Sequence, residues 1–286
     1  MATDLAPMEV VPTREVAASW RDSLRAVKVV WHRELIRWSR NRTRIVTTLV
    51  QPILFLFVLG TGLAPLLHAG GGLDFRTFMF PGVLTMIVLF TSIFSAVSIV
   101  WDREFGFLRE MMVAPVPRSA VVVGKCLGGA TVATIQGAIL LLLAGLVHIP
   151  YSPVLLLVLL AEMALTAFTM TSLGVMLASR MQQVESFQVV MQMIVLPMFF
   201  LSGSVFPLTG LPGWLDALAK IDPLTYAVDA IRRPALSHVA HGASSAFAKP
   251  VAWGHWPLPI GFELVITAVV GLIFVVAAIV QFSRAD

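Results

Sequence analysis

The sequence predicts an all-α integral membrane protein, and three observations support this. Of its 286 residues, 58% are hydrophobic and only 13% are charged, whereas soluble domains average about 25% charged residues. The mean hydropathy is +0.88. Six apolar stretches are each close to the length of about 20 residues that a helix needs to cross a bilayer. The composition excludes an ordinary soluble domain and a disordered chain.

The six stretches are rich in Leu, Val, Ile, Ala and Met and lack the alternating pattern of a membrane β-barrel, so each is predicted to be helical. The first begins only after 44 mostly polar residues, which predicts an uncleaved anchor rather than a signal peptide. The predicted spans are residues 45–67, 78–100, 126–149, 154–178, 187–206 and 260–282.

The basic residues predict how the helices are oriented. Nine of the 20 Lys and Arg residues lie in residues 1–44 and four lie in residues 101–125. The positive-inside rule therefore places both termini and the loop of residues 101–125 in the cytoplasm. The formal net charge of +4 is explained by this asymmetry, so no nucleic-acid partner is predicted.

Two regions are expected: residues 1–44, a tail with an interfacial helix, and residues 45–286, the six-helix domain. Apolar residues recur every three or four positions before the first span, with arginines mainly elsewhere. This pattern is typical of a helix lying among lipid headgroups. A helix packed on a soluble partner is the alternative, and both can hold at once. The stripe consists of Trp20, Leu24, Val27, Trp31, Leu35 and Trp38.

The loop of residues 101–125 is the best candidate for a contact with another protein. Residues 102–112 could form a short amphipathic helix, and Pro115 and Pro117 would end it. A simple solvated link remains the alternative. On the opposite side, residues 207–236 contain four prolines, and the pieces between them are too short to span. Two short helices that return into the outer leaflet fit this segment best.

Polar residues inside the predicted spans are candidates for function because their burial is costly. Glu162 could bind a cationic substrate, carry a proton or hold two helices together, and Glu263 is expected to snorkel or to pair locally. Gln188 and Gln192 share one face of the fifth span, which should face the bundle interior or a water-filled path. Interhelical hydrogen bonds with ordinary packing are the alternative. The predicted translocation path is Gln188, Met191, Gln192, Val195, Phe199 and Glu162.

The sequence gives no sign of an enzyme, a metal site or a bound cofactor. The string Gly124-Lys125-Cys126 lacks the Ser or Thr of a nucleotide-binding loop, and Ser119 stands where that loop needs glycine. The histidines form no metalloprotease motif, and the single cysteine, Cys126, is predicted to be a packing residue. If ATP drives this protein, a separate ATPase subunit must bind it.

Several motifs in order resemble the permease subunits of type 2 ATP-binding-cassette exporters, over nearly the whole chain. They include residues 80–82 (FPG), 102–109 (DREFGFLR), 114–118 (APVPR) and Gly124-Lys125. The outer segment adds residues 201–203 (LSG), 206–207 (FP), 211–212 (LP), Trp214, 223–226 (PLTY) and Arg232. One departure is Asp102, which stands where the family usually has glutamate.

The resemblance implies a homodimer, or a pseudo-dimer with a related permease, and separate ATPase subunits that bind ATP and Mg²⁺. It implies that spans two and five line the route at the dimer axis and that residues 101–118 contact the ATPase. The implied coupling residues are Asp102, Arg103, Glu104, Phe105, Gly106, Leu108, Arg109, Glu110, Pro115 and Arg118. The implied outer gate is Pro207, Pro212, Trp214, Pro223 and Tyr226.

The predicted function is export of a hydrophobic, drug-like or lipid-linked substrate across a bacterial inner membrane, with ATP hydrolysed by the separate subunit. A proton-coupled secondary transporter that uses Glu162 is the alternative. A membrane scaffold without transport activity is a third hypothesis, although it does not explain the ordered motifs.

Overall fold

The computed structural model describes residues 20–62, 75–106, 117–208, 210–237 and 250–284. Nine helices and one two-stranded hairpin make up these residues. The helices are α1 (Trp20–Arg40), α2 (Arg42–Gly62), α3 (Phe75–Glu104), α4 (Arg118–Leu141), α5 (Pro153–Ala178), α6 (Val184–Leu201), α7 (Gly213–Ile221), α8 (Pro223–Ser237) and α9 (Ile260–Arg284). The hairpin pairs β1 (Ala252–Trp253) with β2 (Trp256–Pro257).

Six helices of the described residues, α2 to α6 and α9, are long and apolar enough to cross a membrane. The prediction of an all-α membrane protein with six spans is therefore confirmed. Successive spans run in opposite directions. One end of the bundle therefore holds the last residues of α3, α5 and α9, and it is called here the α1 end. The opposite end, called the α7 end, holds α7 and the hairpin.

The third span has the predicted length of 24 residues but is shifted toward the N-terminus of the chain, because its helix begins at Arg118. It ends at Leu141 rather than at residue 149, and a 3₁₀ turn covers Ala144–Val147. His148 then adopts a left-handed backbone conformation with φ of 62°, which no helix interior accepts. Residues 142–149 are as apolar as the helix before them, so composition alone could not reveal this break.

The first span is irregular where the sequence placed a proline. Pro52 lies inside α2, and the next residues, Phe55–Leu59, form a π-helical turn before the final turn Gly60–Gly62. Proline has no N–H to donate, and π-helical turns accompany such interruptions of the hydrogen-bond ladder. Part of the predicted span, residues 63–67, lies outside the described residues.

Helices α3, α4 and α5 form the centre of the bundle, and α2, α6 and α9 surround it. In the most apolar stretch of α3, 83% of the residues are buried, compared with 17% in α2 and 22% in α6. Helix α3 is therefore enclosed by its own subunit, and its place at a dimer axis stays a prediction. The fifth span, α6, does present a broad exposed face.

Helix α1 packs along the first half of α4, and two glycines one turn apart permit the close approach. A Cβ atom at Gly124 would lie 2.7 Å from Val30 Cβ, and one at Gly128 would lie 2.7 Å from Glu34 Cβ. Trp31 Nε1 donates to Thr131 Oγ1 at 3.0 Å. Small residues four positions apart are a common solution for helix packing in membranes.

The predicted interfacial stripe therefore divides into two parts. Trp31 and Trp38 are half-buried, whereas Trp20 and Leu24 are 67% and 57% exposed. The part with Trp20 and Leu24 suits a helix among headgroups, whereas the part with Trp31 and Trp38 packs against this chain's own spans. Both hypotheses for this segment assumed an external contact, whereas part of the contact is intramolecular.

A second close approach joins α3 to the turn after α6. A Cβ atom at Gly82 would lie 2.0 Å from the Ser204 carbonyl oxygen, and Gly203 has a φ of 77°, which favours glycine. The Arg232 guanidinium donates to the Gly203 carbonyl oxygen and lies 4.9 Å from the centre of the Phe78 ring. Three separate motifs of the sequence thus meet at one place.

The outer segment contains the two short helices that the sequence predicted. Helix α8 is largely buried against α3, α5 and α9, whereas α7 exposes Trp214, Leu218 and Ile221. Asp222 separates the two helices, and its Oδ1 accepts a hydrogen bond of 2.8 Å from Leu224 N. Asp222 thereby caps the N-terminus of α8.

We expect the variant Gly128→Leu to displace α1 from α4, because the added side chain meets Glu34. Overpacking of this kind costs about 1–3 kcal/mol. The measurement is the melting temperature of the solubilised protein together with tryptic cleavage at the basic residues of α1. The control is Gly261→Leu, where a Cβ atom meets nothing within 4 Å. Equal melting and cleavage in the two variants would contradict this packing.

Burial raises the pKa of the Asp222 carboxyl from 3.8 to about 7. The folded protein therefore binds more protons than the unfolded protein between about pH 4 and pH 7. Its free energy of unfolding should fall as the pH rises through that window and level off above it. The variant Asp222→Asn keeps a side-chain oxygen that can accept the hydrogen bond from Leu224 N, and it removes the loss of stability at high pH. At pH 8 it should be more stable than the wild type, by at most about 4 kcal/mol.

Melting curves of the wild type and Asp222→Asn between pH 5 and pH 8 test this expectation. The difference between the two proteins should grow with rising pH and then become constant. Parallel pH profiles would show that the Asp222 carboxyl does not cause the dependence.

Candidate functional site

A buried ion network lies at the α1 end, where α1, α3 and α4 meet. Lys125 Nζ of α4 lies 2.7 Å from Asp102 Oδ2 of α3 and 2.9 Å from Glu34 Oε1 of α1. It also donates to Ser98 Oγ at 2.8 Å. The Lys125 side chain is only 3% exposed. These partners therefore compensate the free-energy cost of burying its ammonium group.

Arg33 completes the network from the more exposed side. Its guanidinium lies 3.0 Å from Asp102 Oδ2 and 3.5 Å from Glu34 Oε1, and its side chain is 40% exposed. Two cations thus face two anions, and the group is neutral as a whole. Three helices are therefore joined at one point, immediately before the chain enters the loop after α3.

The next two residues of α3 attach its end to the turn between α5 and α6. Arg103 donates to the carbonyl oxygens of Ser179 and Met181, both at 2.9 Å. Glu104 Oε2 accepts a 3.0 Å hydrogen bond from Val184 N, the first residue of α6. A carboxylate at this position also interacts favourably with the helix dipole.

The loop of residues 101–125 is joined to the bundle at its other end as well. Arg118 donates to the Ser283 carbonyl oxygen at 2.9 Å, in the last turn of α9. Beyond Glu104, Phe105 is 69% exposed and Gly106 has a φ of 79°. The loop therefore leaves the bundle at Phe105 and returns at Arg118, with both of its ends fastened to spans.

A cavity of about 500 Å³ opens beside the network, between α2, α3 and α4. Its size lies within the range of pockets for drug-sized ligands. Its lining is both polar and aromatic. It includes Arg44, Gln51, Phe90, Phe94, Gln136 and Gln188.

Two contacts shape the walls of this cavity. Thr91 Oγ1 donates to Gln136 Oε1 and holds the buried amide of α4 against α3. The Arg37 guanidinium lies 5.1 Å from the centre of the Trp101 ring, a cation–π geometry. The cavity can accommodate an amphiphilic molecule, since apolar rings and hydrogen-bonding groups share its surface.

The family model described as ABC-2 type transporter matches residues 25–235 of the chain. This range includes most of α1, the ion network, the residues that line the cavity and most of α8. The chain belongs to the ABC-2 type transporter family.

Known relatives agree with this membership. Nodulation protein J of Rhizobium leguminosarum bv. trifolii is 28% identical over 213 residues, which is 73% of this chain and 80% of that protein. Nodulation protein J of Rhizobium meliloti is 28% identical over 207 residues, 71% of this chain and 78% of that protein. The probable multidrug ABC transporter permease YbhR of Escherichia coli is 26% identical over 202 residues, 70% of this chain and 51% of that protein.

In this ABC-2 permease, the residues predicted to contact an ATPase have different environments. Asp102 is buried in the ion network, where its carboxylate pairs with Lys125 and Arg33, and its contact with an ATPase stays a prediction. Arg103 is half-buried against the α5–α6 turn. Glu104, Phe105 and Gly106 are exposed. Four predicted residues lie outside the described residues, namely Leu108, Arg109, Glu110 and Pro115.

The predicted translocation residues also separate. Met191, Val195 and Phe199 are buried in the subunit core, so in this conformation they line no open path. They lie on the face of α6 that packs against the core, and their assignment to a translocation path stays a prediction. Gln188 lines the cavity, whereas Gln192 is exposed on the outer face of α6. The glutamine face therefore points away from the interior of its own subunit.

Glu162 lies apart from the cavity and faces a second charged group near the α7 end. In that group, Arg233 pairs with Glu263 and lies 3.2 Å from Asp229 Oδ2. Glu263 is fully buried, and its local pairing follows the expectation from sequence. Glu162 Oε2 is buried and has no hydrogen-bond partner among the described residues.

The five residues predicted as an outer gate do not converge on one constriction. Tyr226 is buried, donates to the Lys220 carbonyl oxygen at 2.7 Å and accepts from Trp253 Nε1 at 3.1 Å. Trp214 is 67% exposed on α7. Pro212 and Pro223 stand at the starts of α7 and α8, and Pro207 borders a separate pocket. Tyr226 and the two helix-start prolines thus serve the local structure of this segment.

Sequence reasoning missed the residues that organise the site. Lys125 was considered only as part of a failed nucleotide-binding string and a family motif. Glu34 stands one turn from Trp31 and Trp38, so a carboxylate on the apolar face of α1 was the available signal. Among the described residues, no three His, Cys, Asp or Glu side chains are grouped closely enough to hold a metal.

We expect Lys125→Met to destabilise the protein by about 3–5 kcal/mol, because it leaves two buried carboxylates without their shared cation. The double variant Lys125→Met/Asp102→Asn leaves Glu34 beside Arg33. It should recover at least about 1 kcal/mol of that loss. Unfolding of the solubilised proteins, followed by melting temperature, measures both effects. If the two substitutions are simply additive, Lys125 and Asp102 are not coupled.

Proposed function

We propose that this transport permease is the membrane subunit of an ATP-driven exporter, with ATP hydrolysed by a separate subunit. The proposed cargo is a hydrophobic, drug-like or lipid-linked molecule that leaves the cytoplasm of a bacterium. The observation that carries the proposal is the fastening of residues 101–118 to three parts of the bundle. Family membership supports a separate ATP-binding subunit as the source of energy.

The α1 end is the proposed cytoplasmic end. Basic residues lie there at the ends of the spans, including Arg40 and Arg42 around the start of α2 and Arg180 after α5. Positive charge marks the cytoplasmic side of a membrane protein. The exposed Phe105 then points toward the compartment that contains ATP. An exposed aromatic residue at the start of a loop is a suitable anchor for a partner protein.

The contacts of this loop suggest how a force would be transmitted. Movement of Phe105 by the ATPase would act on α3 directly, on α6 through Glu104 and on α9 through Arg118. These helices differ in burial, since α3 is enclosed and α6 is largely exposed. A push at one loop would therefore displace the outer helices relative to the central ones, as in rigid-body transport mechanisms.

The cavity between α2, α3 and α4 is the proposed site of substrate entry. It begins at the α1 end beside Arg44 and reaches Gln136 inside α4. Its aromatic and amide lining suits a molecule with both apolar and polar parts. One relative is named as a probable multidrug ABC transporter permease, which supports a drug-like cargo.

The exposed apolar faces of α2 and α6 support assembly with a second permease subunit. Large exposed side chains on these faces include Val46, Leu54, Val58, Met193 and Phe200. A second copy, or a related permease, would place two such faces around a common axis. In that arrangement Gln192 would face the axis and provide a polar surface there.

We expect Glu104→Lys to reduce export about tenfold or more while ATP hydrolysis by the assembled complex continues. The variant replaces the charge-assisted hydrogen bond to Val184 N with a repulsive charge at a helix N-terminus. Efflux from vesicles and phosphate release are measured on the same preparation. The matched control is Glu185→Lys, which makes the same charge change in the first turn of α6 without removing the hydrogen bond to Val184 N. Normal export by Glu104→Lys, at normal protein level, would refute the coupling role.

The source of energy is tested by affinity purification of the tagged chain from gently solubilised membranes. A stoichiometric ATPase partner and vanadate-sensitive ATP hydrolysis are the expected results. Glu162 offers the alternative, because its buried and unpartnered oxygen could carry a proton. Transport that survives ATP depletion but stops with an uncoupler or with Glu162→Gln would replace the ATP-driven mechanism.

A further inference from the structure

A long groove lies on the outside of the bundle at the α1 end, between α9 and the turn that joins α5 to α6. Its volume is about 930 Å³, larger than that of the proposed substrate cavity. It is separate from that cavity and from the charged group around Arg233. Its floor is the outward face of α9.

The body of the groove is aliphatic. Val269, Leu272, Ile273, Val276 and Val280 are between 40% and 59% exposed along it. From Val269 to Val280 the helix rises about 16 Å, which is close to the half-thickness of about 15 Å of a bilayer hydrocarbon core. The apolar part of the groove therefore has the length of one lipid leaflet.

The rim of the groove is cationic and lies only at its α1 end. Arg180 and Arg284 are exposed there, with Gln182 and Gln281 beside them. Arg103 also lines the rim, although it already donates to the carbonyl oxygens of Ser179 and Met181. None of the residues described as lining the groove is acidic. The nearest carboxylate on α3, Glu104, accepts the hydrogen bond from Val184 N.

We propose that this groove binds one anionic phospholipid, with its phosphate at Arg180 and Arg284 and an acyl chain along α9. Charge complementarity at one end and leaflet length along the rest favour a lipid as the occupant. A transmembrane helix of a partner would continue through both leaflets and has no need of cationic groups at one end. The assignment does not depend on the proposed export function, because it uses only the described residues around the groove.

Native mass spectrometry of the purified full-length protein tests the proposal. The probes are phosphatidylglycerol and phosphatidylcholine with identical acyl chains, titrated separately. We expect the wild type to hold one phosphatidylglycerol in preference to phosphatidylcholine. Each basic residue near anionic lipid contributes about fivefold in binding. In the variant Arg180→Ala/Arg284→Ala, the preference for phosphatidylglycerol over phosphatidylcholine should therefore fall about 25-fold.

The control variant is Arg40→Ala/Arg42→Ala, which removes two exposed arginines at the same end but away from the groove. It should keep the preference of the wild type, and Arg180→Lys/Arg284→Lys should keep most of it. Equal binding of the two lipids by the wild type would overturn the proposal. An equal loss of the preference in the control and groove variants would also overturn it. Lipid binding would then depend on the total positive charge at this end and not on the groove. A protein subunit retained in the groove in place of lipid would overturn the proposal as well.

Discussion

The ammonium group of Lys125 is the interaction on which the rest of the α1 end depends. A buried cation in a membrane protein is tolerated only where anions surround it, and here Asp102 and Glu34 come from two different helices. Their positions bring α1 and α3 to the same level of α4. Once this level is set, Arg103 and Glu104 fall beside the α5–α6 turn, and the end of α3 becomes a common attachment for its neighbours.

Close helix contact complements this ion network. Water does not drive helices together inside a bilayer, so packing and small residues determine how near they come. Gly129 of α4 allows Ser95 Oγ within 2.1 Å of where its Cβ would lie, and Gly174 of α5 allows the Ile93 carbonyl oxygen within 2.9 Å. Helix α3 is held between α4 and α5 by these glycines. The high burial of α3 follows from the glycines of its neighbours as much as from its own apolar side chains.

The sequence was sufficient to predict the six spans because hydropathy is a property of each segment alone. It was also sufficient for the two short helices of residues 213–237, since Pro212 and Pro223 mark where they begin. Which face of a helix is buried depends on neighbouring helices, however. Met191 and Gln192 are adjacent in sequence, and only the contact of α6 with the core decides that Met191 is buried and Gln192 is exposed.

The ion network was hidden from sequence reasoning for a related reason. Glu34, Asp102 and Lys125 are far apart in the chain, and each has a plausible role as an exposed residue near a membrane surface. The motif that begins at Asp102 resembles a contact for a partner protein, and part of it is exposed. Its first residue nevertheless serves the subunit itself. A single sequence motif can thus combine a structural residue with exposed residues.

This combination has a mechanical consequence. A loop can transmit force to a bundle only if its ends are attached more firmly than its tip is held by the partner. At Asp102 the attachment is to the central helices through buried charges, and at Arg118 it includes an exposed hydrogen bond to the outer helix α9. The two ends therefore differ in stiffness. In the proposed mechanism, a displacement of this loop would be resisted at α3 and accommodated at α9 and α6, so the helices with exposed faces would be the ones to move.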